Sequence, residues 1–176
     1  MLRSSFNFAV ALLALVVSAH ADITATWNGT TGNWTDAARW STGVFPNNSV
    51  PNFYDAVINA GTVTLNQGIA INQLTLGGGT LAGASALALA EGVQWNGGTL
   101  AVGSVTLGAS SASVVAGGAT FSSGTIFGGG GATFTVQFGA TLIVLDGANF
   151  FAQASSPAYT LKIGRASCRE RVSVLV

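Results

Sequence analysis

Side chains that could catalyse a reaction are scarce in this sequence. Residues 22–161 contain five carboxylates and one arginine, and they contain no lysine, histidine or cysteine. A pair of carboxylates can hydrolyse a glycosidic bond when one acts as the acid and the other as base or nucleophile. The five acids are widely spaced and form no motif. They are Asp22, Asp36, Asp55, Glu91 and Asp146. We therefore predict no catalytic residues and a protein that is not an enzyme.

Cofactor and metal sites are not expected from these residue types either. Zinc sites rely on Cys and His ligands, and a serine nucleophile needs a neighbouring base such as His. The run from Gly128 to Gly131 is not followed by the lysine that a phosphate-binding loop requires. The sequence thus predicts no cofactor-binding residue, no metal ligand and no cofactor.

The charge balance limits the partners. One arginine, Arg39, stands against five carboxylates between residues 22 and 161, which leaves a formal charge of −4. Nucleic-acid binding depends on Lys and Arg that neutralise phosphates, so we expect no nucleic acid as a partner. A basic membrane-surface site is excluded for the same reason. Contact with a membrane is expected only through a signal peptide or a C-terminal anchor beyond this sequence.

The first 21 residues have the pattern of a secretory signal peptide. Arg3 gives a positive start, and the apolar run from Phe8 to Ala19 is shorter than the about 20 residues that span a bilayer. Ala19 and Ala21 form an A-x-A cleavage site. An uncleaved membrane anchor or a buried helix is the alternative. We predict that residues 1–21 are cleaved and that the protein is secreted.

Three tryptophans stand close together in residues 22–55. They are Trp27, Trp34 and Trp40, and they lie among asparagines and turn residues. Each indole ring can bury about 150–250 Å², so the three rings could cover the apolar end of a repeat structure. The alternative is a platform on which the rings stack against carbohydrate. An extracellular polysaccharide or another surface ligand would then be the partner.

A charged pair lies inside this tryptophan-rich segment. Asp36 and Arg39 are three residues apart, a spacing that allows contact on one helical turn. Thr35 precedes them and is the expected N-cap of that turn. We predict a local surface pair without a catalytic role.

A sequence repeat runs through residues 56–161. The triplet Gly-Thr-Leu at 79–81 returns at 98–100, and weaker copies follow at 119–121 and 140–142. Short strands with glycine corners at a period of about 20 residues are typical of a β-solenoid, whose stacked coils bury one continuous core. Roughly five coils spaced about 4.8 Å apart would form a rod about 25 Å long.

The pattern inside the repeats favours strands. In the segment from Thr133 to Phe138, the apolar residues Phe134, Val136 and Phe138 alternate with polar ones, which predicts one buried face. We predict an all-β parallel solenoid. A β-sandwich is the alternative, because it also uses many short strands with turns every 8–12 residues or so.

Threonines recur at the repeat spacing. We expect Thr80, Thr99, Thr120 and Thr141 to form a ladder on one face of the solenoid. A flat threonine ladder can order water or bind ice, whereas ordinary surface threonine on strands is the commoner case.

The segment after the signal resembles the start of secreted bacterial repeat proteins. Its tryptophans, glycines and proline precede a coil of the form I-x-x-L-T-L-x-x-G-T-L, and this order is similar to autotransporter-type passengers and their surface relatives. The matching residues are Trp27, Gly29, Trp34, Trp40, Gly43, Pro46, Ile71, Leu74, Leu76 and Leu81. The resemblance covers roughly residues 22–110. It implies a right-handed parallel β-helix with a Trp-rich N-terminal cap, export, and a C-terminal module that anchors or exports the chain.

The last residues differ from everything before them. Arg165, Arg169 and Arg171 follow a stretch that contains a single arginine, and Cys168 is the only cysteine. A codon string that encodes residues 163–172 resembles a common sequencing-library adapter read in frame. We predict that residues 162–176 are a non-native tail and that the natural chain is longer. A genuine basic C-terminal segment is the alternative.

These features lead to two functional hypotheses. The first is an exported bacterial cell-surface or extracellular β-solenoid that is structural or adhesive and has no catalytic activity of its own. The alternative is the N-terminal repeat region of a secreted polysaccharide-active enzyme whose active site lies outside this sequence. If the last coil, residues 142–153, lacks a neighbour, its apolar face should be exposed. We then expect residues 22–176 to aggregate or to bind the dye ANS.

Overall fold

Short apolar runs separated by glycine become strands that stack in parallel. The computed structural model describes residues 22–152 and 160–163. The strands in chain order are β1 (Ile23–Thr26), β2 (Thr31–Asn33), β3 (Tyr54–Ile58), β4 (Thr62–Thr64), β5 (Ile69–Leu76), β6 (Thr80–Leu107), β7 (Ala112–Gly128), β8 (Thr133–Val136), β9 (Thr141–Val144), β10 (Ala148–Ala152) and β11 (Thr160–Ile163). One 3-10 turn, Ala37–Arg39, lies between β2 and β3.

The strands form a β-solenoid of about five turns. One path of neighbours runs β1, β3, β5, β6, β7, β8 and β11, and a second face pairs β2 with β4, β4 with β6, and β7 with β9. The long strands β6 and β7 bend around the corners and contribute to more than one face. Every pairing between these strands is parallel. The predicted all-β parallel solenoid is therefore confirmed, and the β-sandwich alternative, which needs antiparallel strands, is wrong.

The first shift between neighbouring coils, from Ile23 to Tyr54, is 31 residues, and from the second coil onward the shift grows along the chain. Asp55 pairs with Gln73, a shift of 18, and Thr99 pairs with Thr120, a shift of 21. Thr133 pairs with Thr160, a shift of 27. The period of about 20 residues inferred from the repeat is thus an average over coils that lengthen.

The core consists of the inward-facing residues of successive coils. Alternation along the strands places Ala56 and Ile58 of β3 inside together with Leu74 and Leu76 of β5. Further on, aromatic side chains fill the wider coils. Trp95, Phe121, Phe134 and Phe150 are buried there and meet edge to face at centroid distances of 5.2 to 6.5 Å.

Glycine is required at the corner of the repeated triplet. Gly98 has φ +81°, and a Cβ on it would fall on the backbone oxygen of Gly79 in the preceding coil. Positive φ is strained for residues with a side chain. The Gly of the Gly-Thr-Leu triplet therefore marks the place where the chain turns sharply and two coils come closest.

Two expectations about individual strands have different outcomes. The segment 84–93, rich in Ala and Leu, lies within β6 as extended strand. Phe134 and Val136 are buried as predicted, but Phe138 is 85% exposed. The prediction for Phe138 is wrong because β8 ends at Val136, so the alternation stops before Phe138.

Several predicted segments lie outside the described residues. The signal peptide, residues 1–21 with its cleavage residues Ala19 and Ala21, is among them. So is most of the tail, residues 164–176. The expected boundary between residues 161 and 162 falls inside β11, and the expected end of the cap at residue 55 falls inside β3.

Candidate functional site: the tryptophan cap and the threonine ladder

Two of the three clustered tryptophans occupy inward positions of the first coil. The Trp27 N–H donates to the Val57 carbonyl at 2.9 Å, which continues the β1–β3 register and places Trp27 opposite Ile58. The Trp34 N–H donates to the Thr64 carbonyl at 2.8 Å and places Trp34 opposite Leu65. Both rings therefore stack on the core side chains of the second coil.

Trp40 completes the cluster from the loop that follows β2. Its ring centroid lies 5.1 Å from that of Trp27 and 4.8 Å from that of Trp34. The three residues are 4%, 0% and 3% exposed in the order Trp27, Trp34, Trp40. We call this cluster the tryptophan cap.

Each indole N–H of the tryptophan cap has a backbone acceptor. Trp27 donates to the Thr30 carbonyl at 2.8 Å, Trp34 to the Pro46 carbonyl at 2.8 Å, and Trp40 to the Trp34 carbonyl at 2.7 Å. A buried indole N–H without a partner would destabilise the fold. These bonds let the rings enter the core without that cost, and they fix the course of the loop.

Burial of the three rings distinguishes between the two roles predicted for them, which are capping the solenoid and stacking against carbohydrate. Carbohydrate stacking needs an exposed ring face, and neither Trp27, Trp34 nor Trp40 presents one in this structure. The three rings lie over the core of the second coil, where side chains that cover the end of a solenoid must lie. The geometry thus favours the capping interpretation over the sugar platform.

The free edge of β1 is covered by the same loop. Ser41 and Thr26 exchange two hydrogen bonds, from the Ser41 N–H to the Thr26 carbonyl and from the Thr26 N–H to the Ser41 Oγ, both 2.9 Å. The Asn28 N–H donates to the Arg39 carbonyl at 2.9 Å. An antiparallel bridge between Trp27 and Trp40 lies between these contacts. The C-terminal part of the β1 edge is therefore not available for pairing with another chain.

Asp36 and Arg39 protect the edge of β2. The Asp36 carboxylate accepts from the Asn33 N–H at 2.9 Å and from the Arg39 Nε at 3.2 Å. Arg39 also donates to the Thr30 Oγ1 and lies 6.0 Å from the centroid of the Trp27 ring. The predicted pair is confirmed, and it also ties the loop to the strand.

Thr35 is not the N-cap of the short turn. Asp36 occupies that position, without a side-chain capping bond. The Thr35 Oγ1 instead accepts from the Asn66 Nδ2 at 2.8 Å, a contact with the second coil. Thr35 therefore joins the loop to the next coil.

Asparagines cover the third side of the first coil. The Ala70 N–H donates to the Asn47 Oδ1 at 2.9 Å, and the Asn48 N–H donates to the Ala70 carbonyl at 2.6 Å. The Asn48 side chain also bonds to Asn72 at 2.9 Å and accepts from the Tyr54 N–H at 2.8 Å. These contacts satisfy backbone groups at the start of β5, and the sequence did not predict them. The only available signal was the pair of adjacent asparagines before a strand.

Threonines form a ladder on the face built by β2, β4, β6 and β7. Thr31 pairs with Thr62, Thr62 with Thr80, and Thr99 with Thr120. The Thr99 N–H donates to the Gly79 carbonyl at 2.9 Å, which places Thr99 beside Thr80. The threonine ladder therefore consists of Thr31, Thr62, Thr80, Thr99 and Thr120, all at least partly exposed and about 4.8 Å apart.

The predicted ladder differs at its last member. Thr141 pairs with Gly118, and Ile143 is the residue beside Thr120. Two additional residues in that coil shift the register, so Thr141 does not belong to the ladder. In the other direction the ladder extends to Thr62 and Thr31, which the repeat alone did not include.

Two nearby carboxylates act on Asp55 on the side of β3. Burial raises the pKa of Asp55 above its ordinary value of 3.8, and the charges of Asp22 and Glu91 raise it further, whereas the backbone hydrogen bond from Gln73 opposes the shift. The Asp55 Oδ1 is buried without a hydrogen-bond partner. Within the described ranges, no group of three or more His, Cys, Asp or Glu side chains is positioned to hold a metal ion.

Apolar side chains are exposed on the last described coil of the solenoid. Ile143 and Leu145, on and just after β9, are 46% and 45% exposed, and Phe138 before β9 is 85% exposed. Leu142 and Val144 point inward but remain only partly buried. The expectation that this apolar coil causes aggregation or ANS binding stays a prediction.

Comparison with known proteins gives no match, whether to family models, to curated proteins or to solved structures. The resemblance to autotransporter-type passengers therefore remains an interpretation of the sequence. Among the residues that the structure describes, no helix is long and apolar enough to cross a membrane.

Proposed function

We propose that the protein is an exported bacterial cell-surface or extracellular solenoid, similar to an autotransporter passenger, with a structural or adhesive role. It has no catalytic activity of its own. The observation that carries this proposal is a continuous stack of parallel coils with a closed first coil, on which one face carries five threonines in register. Such a stack is suited to hold a surface away from the cell or to present it for binding.

The face that carries the threonine ladder has the properties of an adhesive surface. Its side chains are short and hydroxylated, and the strands hold them at a fixed spacing of about 4.8 Å. Thr80, Thr99 and Thr120 are each followed by a buried apolar residue, so the backbone under the ladder is anchored to the core. A rigid surface loses little conformational entropy on binding. Neutral extracellular polysaccharide is the partner whose hydroxyl groups such a surface would match.

The first experiment tests binding by this face. Lysines replace three ladder residues in the variant Thr80→Lys, Thr99→Lys, Thr120→Lys, because buried or crowded charges disrupt a neutral contact surface. The matched control places lysines on the face of β5, β6 and β8, as Thr75→Lys, Gln94→Lys, Thr135→Lys. Binding of the purified protein to immobilised neutral polysaccharides is measured for both variants.

We expect the ladder variant to lose at least about tenfold in binding and the control variant to bind like the unmodified protein. Equal binding by both variants would contradict adhesion through this face. Release of new reducing ends from the polysaccharide would instead support the alternative of a polysaccharide-active enzyme. Export is tested separately by substituting Ala19 and Ala21 with bulky residues, which should retain the uncleaved precursor in the cell.

A further inference from the structure

Three copies of the motif Asn-x-Ser/Thr lie in the first coil. They begin at Asn28, Asn33 and Asn47, and none has proline at the middle position. This tripeptide is the acceptor motif for N-linked sugars in secreted proteins. The described part of the chain contains no further copy. The three motifs are equivalent in sequence, so only the structure can distinguish them.

Asn28 is held with its amide nitrogen free. Its Oδ1 accepts from the Thr30 Oγ1 at 2.7 Å and from the Thr30 N–H at 3.2 Å, which is an Asx turn. Asn28, Gly29 and Thr30 are all exposed. Gly29 has φ +83°, so the turn projects from the corner between β1 and β2. The Asn28 Nδ2 has no hydrogen-bond partner among residues 22–152 and 160–163, and the Thr30 hydroxyl also accepts from Arg39.

In the other two motifs, a residue that the transferase must reach is buried or is hydrogen-bonded to another strand. Trp34, the middle residue of the second motif, is 0% exposed, whereas Gly29, the middle residue of the first, is exposed. In the third motif the Asn47 Oδ1 accepts from the Ala70 N–H. A transferase must reach the asparagine together with the two residues that follow it. Those residues cannot leave the core at Trp34, and Asn47 cannot turn outward without losing its bond to β5.

We propose that Asn28 is an acceptor for N-linked glycosylation in the folded protein and that Asn33 and Asn47 are not. The donor is a sugar activated on a diphosphate at its anomeric carbon. The Asn28 Nδ2 forms a bond to that carbon while the bond from the carbon to the diphosphate oxygen breaks. The diphosphate leaves with the bonding electrons, and one amide proton passes to a base of the transferase. No oxidant or reductant is needed.

A sugar at Asn28 is compatible with the tryptophan cap. The backbone N–H of Asn28 donates to the Arg39 carbonyl, and this bond does not involve the amide nitrogen. The Thr30 carbonyl, which accepts from the Trp27 indole, also keeps its place. A sugar attached at this corner would extend into solvent beside the closed end of the solenoid, and no buried side chain would have to move.

The experiment compares the folded and the denatured chain with one transferase. The secreted protein, purified whole, is incubated with a nucleotide sugar and an N-glycosyltransferase that accepts Asn-x-Ser/Thr, and each motif is quantified by peptide mass spectrometry. A second arm uses a lipid-linked sugar diphosphate and its transferase. In the folded protein we expect occupancy at Asn28 to exceed that at Asn33 and Asn47 by at least about tenfold. In urea-denatured protein the three should be modified to similar extents.

Three variants make the result specific to Asn28. Asn28→Gln should abolish modification of the folded protein, Thr30→Ser should retain it, and Thr30→Val should abolish it, with circular dichroism spectra unchanged. The proposal is overturned if folded protein is modified equally at the three motifs. It is also overturned if Asn28 stays unmodified in folded protein while the denatured chain is modified there.

Discussion

The two ends of the solenoid differ in how their strand edges and core are covered. At the first coil, three buried indole rings lie over the core, and the loop of residues 35–53 bonds to the edges of β1, β2 and β5. At the other end, β9 and β10 pair only with β7 among the described strands. The inward-pointing Leu142 and Val144 remain only partly buried there. One end is closed by specific side chains, and in the last described coil the inward apolar side chains are less completely covered.

This difference shows that a repeated coil sequence does not by itself cover the ends of a solenoid. The inward alternation of apolar residues is the same in β3 and in β8, so both ends have a core to cover. In the first coil, a whole loop supplies side chains that satisfy backbone groups at the strand edges. Such a loop prevents edge-to-edge association, and an exposed edge invites it. Substitutions at the two ends measure how much these contacts contribute to stability.

The largest effect is expected from removing one ring of the tryptophan cap. Trp34→Ala should lower the free energy of unfolding by about 3–5 kcal/mol, because Trp34 is fully buried and its ring supports Trp40. The control at the open end is Phe138→Ala, where the 85% exposed ring should change stability by less than about 0.5 kcal/mol. Urea unfolding followed by tryptophan fluorescence and circular dichroism measures both. Similar losses from the two changes would remove the distinction between the ends.

A matched pair of glycines gives the next largest difference. Gly61 and Gly139 have nearly the same φ, +79° and +83°, so alanine is strained at both. A Cβ at Gly61 would also strike the backbone of Gly29 and Thr30, whereas nothing lies within 4 Å of one at Gly139. We expect Gly61→Ala to cost about 3 kcal/mol and Gly139→Ala about 1–2 kcal/mol in thermal or urea unfolding. Equal costs would mean that the first and second coils are not packed as closely as described.

A smaller effect is expected at the edge of β2. Asp36→Ala removes the acceptor of the Asn33 N–H and the partner of Arg39, and we expect a loss of about 1 kcal/mol in unfolding free energy. Asp146→Ala is the control, because Asp146 is an exposed carboxylate near the open end, with an expected change below about 0.5 kcal/mol. If Asp36→Ala is as neutral as its control, the carboxylate does not help to hold the edge.

The smallest effect concerns the charges on the side of β3. Burial and the charges of Asp22 and Glu91 raise the pKa of Asp55 in the folded protein. A raised folded-state pKa favours the protonated form, so the contribution of Asp55 to stability is present below its unfolded pKa. That contribution is lost as the pH rises through the folded pKa. Asp55→Asn should therefore flatten the decline in stability from pH 4 upward. An unchanged pH profile of the urea midpoint in Asp55→Asn would contradict this.

Much of this arrangement can be predicted from sequence, because it follows from patterns that act over short distances. Alternation and glycine spacing predict the parallel coils, and the Asp36–Arg39 spacing predicts their contact. The register of Thr141 could not be predicted, because the coil that contains it is two residues longer. The roles of Asn47 and Asn48 depend on contacts with Ala70 and Asn72 in another coil. Asn28 and Asn47 begin the same tripeptide motif. Asn28 bonds within its own turn, whereas Asn47 bonds to Ala70 in another coil, and the sequence does not reveal this difference.

The most direct test of a closed first coil and an open last one is hydrogen exchange of individual backbone amides. Protection reports how often each hydrogen bond opens. We expect the amides of Trp27 and Trp34 to exchange within about tenfold of those of Leu74 in the core, and the amides of β9 to exchange at least about a hundredfold faster. Rapid exchange at Trp27 and Trp34, with rates equal to or above those of β9, would contradict the cap.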